Sequence, residues 1–210
     1  MEIRTFATLP STQEYLIYEI KRGRINDEIC IIATHQSKGI GSRGNAWNSV
    51  NRGLYFSFVK RLSDLPKDLK LESISIFFGF IWKEILASNG SKAWLKYPND
   101  LYLGEHKIGG VMCNIIGGFA VCGIGLNIES SDFACIERGI IGDINSLLYS
   151  YFERIDKCTW EHVFNRYKLE FDKNAKFYFH HRDRTISFKN AKLLNDGAIE
   201  VNGEILYSLR

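Results

Sequence analysis

Over residues 71–86 the apolar positions Ile74, Phe77, Phe78, Ile81 and Ile85 recur at helical spacing, and Asn89-Gly90 supplies a stop. Trp160, Val163, Phe164, Tyr167 and Phe171 predict a second long amphipathic helix. A third begins near residues 10–14, where Ser11 can cap, Glu14 stands three residues later, and Leu16 with Ile20 starts an apolar face. Elsewhere the period changes. Residues 29–33 form a nearly continuous apolar run, the pattern of a strand buried on both faces, and 54–59 is a further strand dense in aromatics. Residues 93–97 read as extended, and 107–116 with 119–125 predict a hairpin across Gly117-Gly118. This order of elements predicts an α+β fold, a mixed sheet with packed helices. Phe77, Phe78, Phe80 and Trp82 are core aromatics in that reading.

After Tyr178 the character changes. His180-His181-Arg182-Asp183-Arg184 is polar and reads as a solvated linker, and short strand-like pieces follow with turns at Asn195-Asp196-Gly197 and Asn202-Gly203. The expected division is a main domain over 1–180 and a small all-β appendage over 181–210, too short to fold alone and so packed on the main domain. No internal repeat or low-complexity tract interrupts the chain.

Composition adds limits more than direction. At 210 residues, 45% apolar and 24% charged, the chain has the make-up of a soluble globular domain with a real core. A net charge of +3, from 27 basic and 24 acidic residues, gives no electrostatic case for nucleic acid, and the basic residues form no stripe interleaved with aromatics. Cys30, Cys113, Cys122, Cys135 and Cys158 are scattered, with no C-x-x-C pair, and an odd count makes a poor disulfide framework; reduced thiols in the cytoplasm fit best. The N-terminus lacks a signal peptide's charged-then-apolar run, and no apolar stretch approaches the roughly 20 residues of a membrane helix. His35, His106, His162, His180 and His181 show no metal-ligand spacing, and no G-x-S-x-G elbow is present.

Three segments carry candidate chemistry. In Gly39-Ile40-Gly41-Ser42-Arg43-Gly44 the glycines allow a tight backbone whose N–H groups can face an anion, with Lys38 and Arg43 adding positive charge. The same residues satisfy G-x-G-x-x-G, but a dinucleotide site needs a helix opening at the third glycine, and Asn45, Trp47, Asn48, Ser49 and Asn51 are poor helix material. In Lys96-Tyr97-Pro98-Asn99-Asp100, Pro98 holds its predecessor extended and leaves Asn99 and Asp100 at a strand end, where Asp100 could hold magnesium; a plain turn is the bland alternative. Lys107 opens an apolar strand and precedes Gly109-Gly110, which would let a ligand come close. In Gly123-Ile124-Gly125-Leu126-Asn127 the glycines leave room for a flat ligand and the Asn127 amide could read a polar edge.

Taken in order, the set resembles the catalytic domain of biotin protein ligases. That family shows Ser-Thr at its first helix, Q-x-x-G-R-G-R before a Trp, then K-W-P-N-D, K-x-x-G and G-I-G-x-N. This chain offers Ser11-Thr12, Gln36 followed by the glycine segment and Trp47, then Lys96 to Asp100, Lys107 to Gly110, and Gly123 to Asn127, and its tail is similar to the family's small C-terminal SH3-like domain. The resemblance implies a class II synthetase-like catalytic domain that uses ATP and Mg2+ to form biotinyl-AMP, then transfers biotin to a lysine of a biotin carboxyl carrier protein. It implies Lys107 as the key cation, with Arg43, Lys96 and magnesium at Asp100 as further charge. Ser11, Thr12, Gln36, Gly39, Gly110 and Gly123 would border biotin, together with Lys107. Trp47, Lys96, Asn99, Asp100 and Asn127 would surround the nucleotide. A homodimer is left open by the resemblance.

The departures are specific. Where the pattern has G-R-G-R this chain has Gly39-Ile40-Gly41-Ser42, so the nearest arginine is Arg43, which is expected to take over charge stabilisation through a shifted loop; a leakier site is the alternative. Tyr97 replaces a Trp, and Asn114 stands where many relatives carry Glu. No helix-turn-helix precedes Ser11 in the ten residues available, so no DNA-binding role is expected. The nearest rival is a lipoate or octanoate ligase or transferase, related in fold, whose flexible acyl chain would call for a long apolar tunnel instead of Ser11, Thr12 and Gln36. A nonenzymatic nucleic-acid binder, the rival of another class, predicts salt-dependent binding and no ATP turnover.

Overall fold

The computed structural model describes residues 1–181 and 184–207, and at Arg43 the backbone alone. In chain order the elements are β1 (Glu2–Leu9), α1 (Thr12–Lys21), β2 (Ile29–Gln36), β3 (Gly39–Ile40), β4 (Ala46–Trp47), β5 (Arg52–Arg61), α2 (Ile74–Ser88), β6 (Trp94–Lys96), β7 (Asp100–Leu103), β8 (His106–Ile116) and β9 (Phe119–Glu129). There follow α3 (Ile144–Lys157), α4 (Trp160–Lys168), β10 (Tyr178–His181), β11 (Arg184–Ser187), β12 (Lys192–Leu193), β13 (Ile199–Val201) and β14 (Glu204–Leu206). Seven strands make one mixed sheet in the order β1-β2-β5-β9-β8-β7-β6; β1 runs parallel to β2 and every other neighbouring pair is antiparallel.

The period-2 alternation of the central strands sends two sets of side chains to opposite faces. On one face Phe56, Phe58, Cys122, Ile124 and Val111 pack against α2 and α3 in the main core. The Phe58 ring meets Phe78, Tyr151 and Phe152 edge-on at centroid distances of 5.0, 5.7 and 5.3 Å, a geometry that suits the ring quadrupole as well as the burial. On the other face Val59, Val121 and Ile31 receive Leu16 of α1 in a smaller cluster. Since α1 has ten residues, about 15 Å of helix, it covers only part of that face.

The hairpin between β8 and β9 turns on Gly117 and Gly118, both at positive φ (56° and 83°), as a two-residue turn matched to strand twist requires. Helix α2 starts at Ile74, because Leu71–Ser73 forms a separate 3-10 turn, and it stops at Asn89-Gly90 as expected. Helix α4 ends at Lys168, with Phe171 in a following 3-10 turn, Phe171–Lys176, so the expected single long helix is two pieces. Strands β1 and β7 and helix α3 add to the elements expected from sequence.

The linker reading of His180-His181 is corrected: both lie in β10, paired with β11 as His180↔Thr185 and His181↔Arg184, because Phe179 between its neighbours is buried against Phe188 at a centroid distance of 4.8 Å. Arg182 and Asp183, and Ser208 with Leu209 at the end of the tail, lie outside the described residues. Phe179, Phe188, Ile199, Val201 and Leu206 belong to the main core. The tail is tied further by Trp160 Nε1 donating to Asn195 O (2.7 Å), by Ser73 Oγ donating to Asp196 O (2.6 Å), and by a Lys70–Asp196 ion pair (2.8 Å). All five cysteines are free. Among the described residues no helix is long and apolar enough to cross a membrane.

Candidate active site

The part of the sheet face that α1 leaves open is lined by small and polar residues. Along β5, β9 and β8 the face changes from Val59 and Val121 beneath the helix to Ser57, Gly123 and Met112, then to Gly125 and Gly110, which are register partners. A cleft with about 480 Å³ of open space lies here, walled by the start of α1, by Gln36, by Ile40, Gly41, Ser42 and Trp47 of the glycine segment, and by Asn99, Asp100 and Lys107.

One end is polar and buried. Ser11 caps α1, its Oγ accepting from Glu14 N (3.3 Å). Gln36 Oε1 accepts from the backbone N–H of Thr12 (2.8 Å) and from Thr12 Oγ1 (3.1 Å), and the Thr12 hydroxyl also lies 2.8 Å from Ser57 Oγ. Gln13, next along the helix, donates through Nε2 to Val121 O (2.8 Å) and Asn114 Oδ1 (3.0 Å). Ser57 and Gln13 were not anticipated. Ser57 carries a legible signal, being the one small polar residue inside the run Leu54-Tyr55-Phe56-Ser57-Phe58-Val59; Gln13 carries none beyond its place beside Ser11-Thr12.

The middle is an aromatic lid on glycines. Trp47 on β4 pairs with Gly39 on β3, where an added Cβ would stand 2.4 Å from Trp47 O, so the strand pairing itself demands glycine there. The indole lies over Gly125, where an added Cβ would meet Trp47 Cε2 at 2.7 Å, and extends toward Gly110, where an added Cβ would stand 3.6 Å from Trp47 Cζ3. The structure thus brings Gly110, Gly123 and Trp47 to the cleft, whereas Gly39 supports Trp47 from behind.

The far end is charged. Lys107 Nζ lies 2.7 Å from Asp100 Oδ1 and 5.7 Å from the Trp47 ring centroid, with its side chain 43% exposed. Lys96 faces the other Asp100 oxygen at 3.8 Å and is nearly buried, its ammonium over the rings of Tyr102, Phe177 and Phe188 at 5.5, 5.9 and 5.8 Å. Phe188 links this lysine to the C-terminal strands. Both Asp100 oxygens thus face ammonium groups. Asp100 is in this arrangement the partner of two lysines.

Asn99 lines the cleft but spends its amide on the backbone, Nδ2 donating to Val111 O (2.6 Å) while Val111 N donates to Asn99 O (2.8 Å). Asn127 lies outside the wall: its Nδ2 donates to Ala134 O (3.1 Å) and its backbone carbonyl accepts from Ile136 N (3.0 Å), pinning the segment that follows β9. The side chain of Arg43 lies outside the described residues.

The sequence profile of the Biotin/lipoate A/B protein ligase family matches residues 5–128, the stretch that builds this cleft from α1 to β9. The chain belongs to that family. It is similar to a biotin acetyl coenzyme A carboxylase synthetase from Helicobacter pylori solved with bound biotinylated ATP, at 43% identity and a TM-score of 0.93, over 98% of this chain and 99% of that one. It is 32% identical over 133 residues to the bifunctional ligase/repressor BirA of Escherichia coli, a match covering 60% of this chain and 40% of that protein. A biotin–[acetyl-CoA-carboxylase] ligase of Mycobacterium tuberculosis is 26% identical over 62% of this chain and 50% of that protein. The chain therefore spans about half or less of the length of these curated relatives. The same fold occurs in the biotin protein ligase of Aquifex aeolicus in complex with biotin and ATP, at 22% identity and a TM-score of 0.76. The residues that wall the cleft in this chain all fall within the stretch matched by the family profile.

Proposed function

We propose that this chain is a biotin protein ligase, which joins biotin to AMP from ATP and passes it to a lysine of a biotin carboxyl carrier protein. One observation carries the reading: a single cleft has a buried amide–hydroxyl cluster at one end and a paired, partly exposed lysine at the other. Biotin needs both, since its ureido ring carries donors and an acceptor while its carboxylate must be brought against a triphosphate.

In the first step a carboxylate oxygen of biotin attacks the α-phosphorus of ATP, a P–O bond forms, and pyrophosphate leaves. Two anions must meet, and Lys107 is the cation that offsets their repulsion. Asp100 holds Lys107 in place, Lys96 adds charge from its aromatic cage, and ATP enters as its magnesium complex. In the second step the uncharged amine of the carrier lysine attacks the carbonyl carbon, an amide forms, AMP leaves with the bonding electron pair, and the amine's proton is released. Ser11, Thr12, Gln36, Gly110 and Gly123 border biotin. Trp47, Asn99 and Asp100 face the nucleotide, and Gly39 and Asn127 hold the surrounding backbone. The glycine segment closes over the adenylate and excludes water.

Arg43 is assigned the charge that the family pattern places on two arginines absent here. Arg43→Ala is expected to lower both the rate of adenylate formation and its retention in a single-turnover assay; unchanged values would remove Arg43 from the site. Residues 1–180 form the catalytic unit and 181–210 an SH3-like β unit. The protein acts in the cytoplasm, without DNA, and sedimentation velocity with and without biotin and ATP decides between monomer and homodimer. The decisive test mixes the protein with magnesium, ATP, biotin and a carrier domain. A gain of one biotinyl group on the carrier lysine is expected, and lipoylation without biotinylation would assign the cleft to the other branch of the family.

A further inference from the structure

Lys96 carries its ammonium into the protein: the residue is only 7% exposed, and its Nζ stands 3.8 Å from Asp100 Oδ2. A charge so enclosed is costly unless its surroundings compensate for the lost water. Three ring faces contribute here, Tyr102, Phe177 and Phe188, with centroids 5.5, 5.9 and 5.8 Å from Nζ. Such contacts are strongest where water is excluded. Tyr102 belongs to β7 of the main sheet, whereas Phe188 comes from the turn between β11 and β12, beyond the stretch that the family profile matches. Its backbone N–H donates to Phe177 O (3.1 Å), so the two phenylalanines are tied together. The Phe188 ring is buried, stacked on Phe179 at 4.8 Å and edge-on to Tyr97 at 5.8 Å, which fixes its orientation.

Lys96 and Lys107 share the Asp100 carboxylate, at 3.8 and 2.7 Å. Two ammonium groups against one carboxylate leave an excess of positive charge at this end of the cleft. Take away the Lys96 charge, and Asp100 simply neutralises Lys107. We infer that Phe188 is a positioning residue for adenylation: its ring face holds the Lys96 ammonium against Asp100, which leaves the Lys107 charge for the two anionic substrates. The inference rests on the biotin reading of the cleft and deepens it. Phe188 does not itself line the cleft, so it acts through Lys96 and Asp100 on the electrostatics of the reaction. The segment that carries the C-terminal strands thereby becomes part of the charged end of the site.

The test replaces Phe188 with mono-, di- and trifluorinated phenylalanine in the full chain, because ring fluorines weaken the negative face with little change of shape. Single-turnover formation of biotinyl-AMP is expected to slow at each step, by about threefold to tenfold over the series, while biotin affinity and melting temperature stay at their wild-type values. In Lys96→Met, which is slower from the start, the same fluorination is expected to add nothing; a merely structural role would give the same loss in both backgrounds. Rates that do not fall along the series, or that fall equally in Lys96→Met, overturn the inference while the biotin reading stands. A wild type that forms no biotinyl-AMP overturns the reading and the inference with it. If Lys96→Met does not fold, the same fluorination at Phe179 is the control, since that ring stacks on Phe188 and is not among the three over the ammonium. An unchanged rate there supports the assignment, and a loss equal to that at Phe188 overturns it.

Discussion

Asp100 and Lys107 face each other across the register shift between β7 and β8, with Oδ1 and Nζ 2.7 Å apart. The pair is offset in burial: the carboxylate is 19% exposed and the lysine 43%. Asp100 is therefore the more enclosed member and Lys107 the one that reaches toward solvent. Asp100→Asn keeps the shape but removes the charge that holds the ammonium over the cleft. The expected result is a loss of about tenfold to a hundredfold in the rate of adenylate formation, with biotin affinity nearly unchanged. Pyrophosphate exchange gives the rate and calorimetry the affinity; parallel losses in both would mean that Asp100 acts on ground-state binding instead.

Lys107 itself is asked for more. Lys107→Met keeps the aliphatic stem beside Trp47 and deletes the ammonium that the proposed reaction sets against two anionic substrates. A loss of about a hundredfold to a thousandfold in single-turnover adenylation is expected, while thermal stability changes little because the side chain is partly exposed. Near wild-type adenylation by this variant would move the chemistry elsewhere in the cleft.

The parts of this site that could be read from the chain are those whose residue type is itself informative. Glycines at 110, 123 and 125, the Ser11 cap with Thr12, and a lysine opening a strand all keep the same message in any sheet of this order. What escaped was set by tertiary packing. Whether Asn127 lines the cleft or pins residues 134–136 depends on the path of the chain after β9, which local pattern does not encode. The orientation of the Gln13 amide depends on Val121 and Asn114, far away in sequence. Helix α3 had a clear pattern in Leu147, Leu148, Tyr151, Phe152 and Ile155, whereas β7 is four residues in a glycine-flanked turn region and only its neighbours in the sheet make it a strand. His180-His181 read as linker because charge dominated the window; one buried phenylalanine outweighed it.

Gly125 links the lid to the floor. A methyl group at this position would stand 2.7 Å from Cε2 and 3.0 Å from Nε1 of Trp47, so Gly125→Ala must push the indole away from the strand. Trp82, Trp94 and Trp160 are buried elsewhere, and the change in emission therefore reports Trp47. A red shift on substitution, with a fall in ATP affinity and an intact circular dichroism spectrum, is the expected outcome. Emission identical to wild type would show that the indole does not rest on Gly125 in solution.

The C-terminal strands reach the site through Phe188, which packs over the Lys96 ammonium, and their docking has a titratable anchor in Asp196. Burial pushes the Asp196 carboxyl up, but hydrogen bonds from Lys70, the Ala198 N–H and the Tyr207 hydroxyl outweigh it and hold it below its ordinary value of 3.8. The folded state thus favours the ionised form. Its contribution is present in full above about pH 5, declines as the pH falls through 3.8, and is gone below the lowered folded value. Asp196→Asn keeps an acceptor for Ala198 but loses the charge facing a half-exposed lysine, so a cost of about 1 kcal/mol is expected at neutral pH. Calorimetric melting from pH 3 to pH 7 should show the variant less stable than wild type at the upper end and the two curves converging in acid. A constant offset across that range would remove Asp196 from the acid response of the tail, and a variant as stable as wild type at pH 7 would remove it as an anchor altogether.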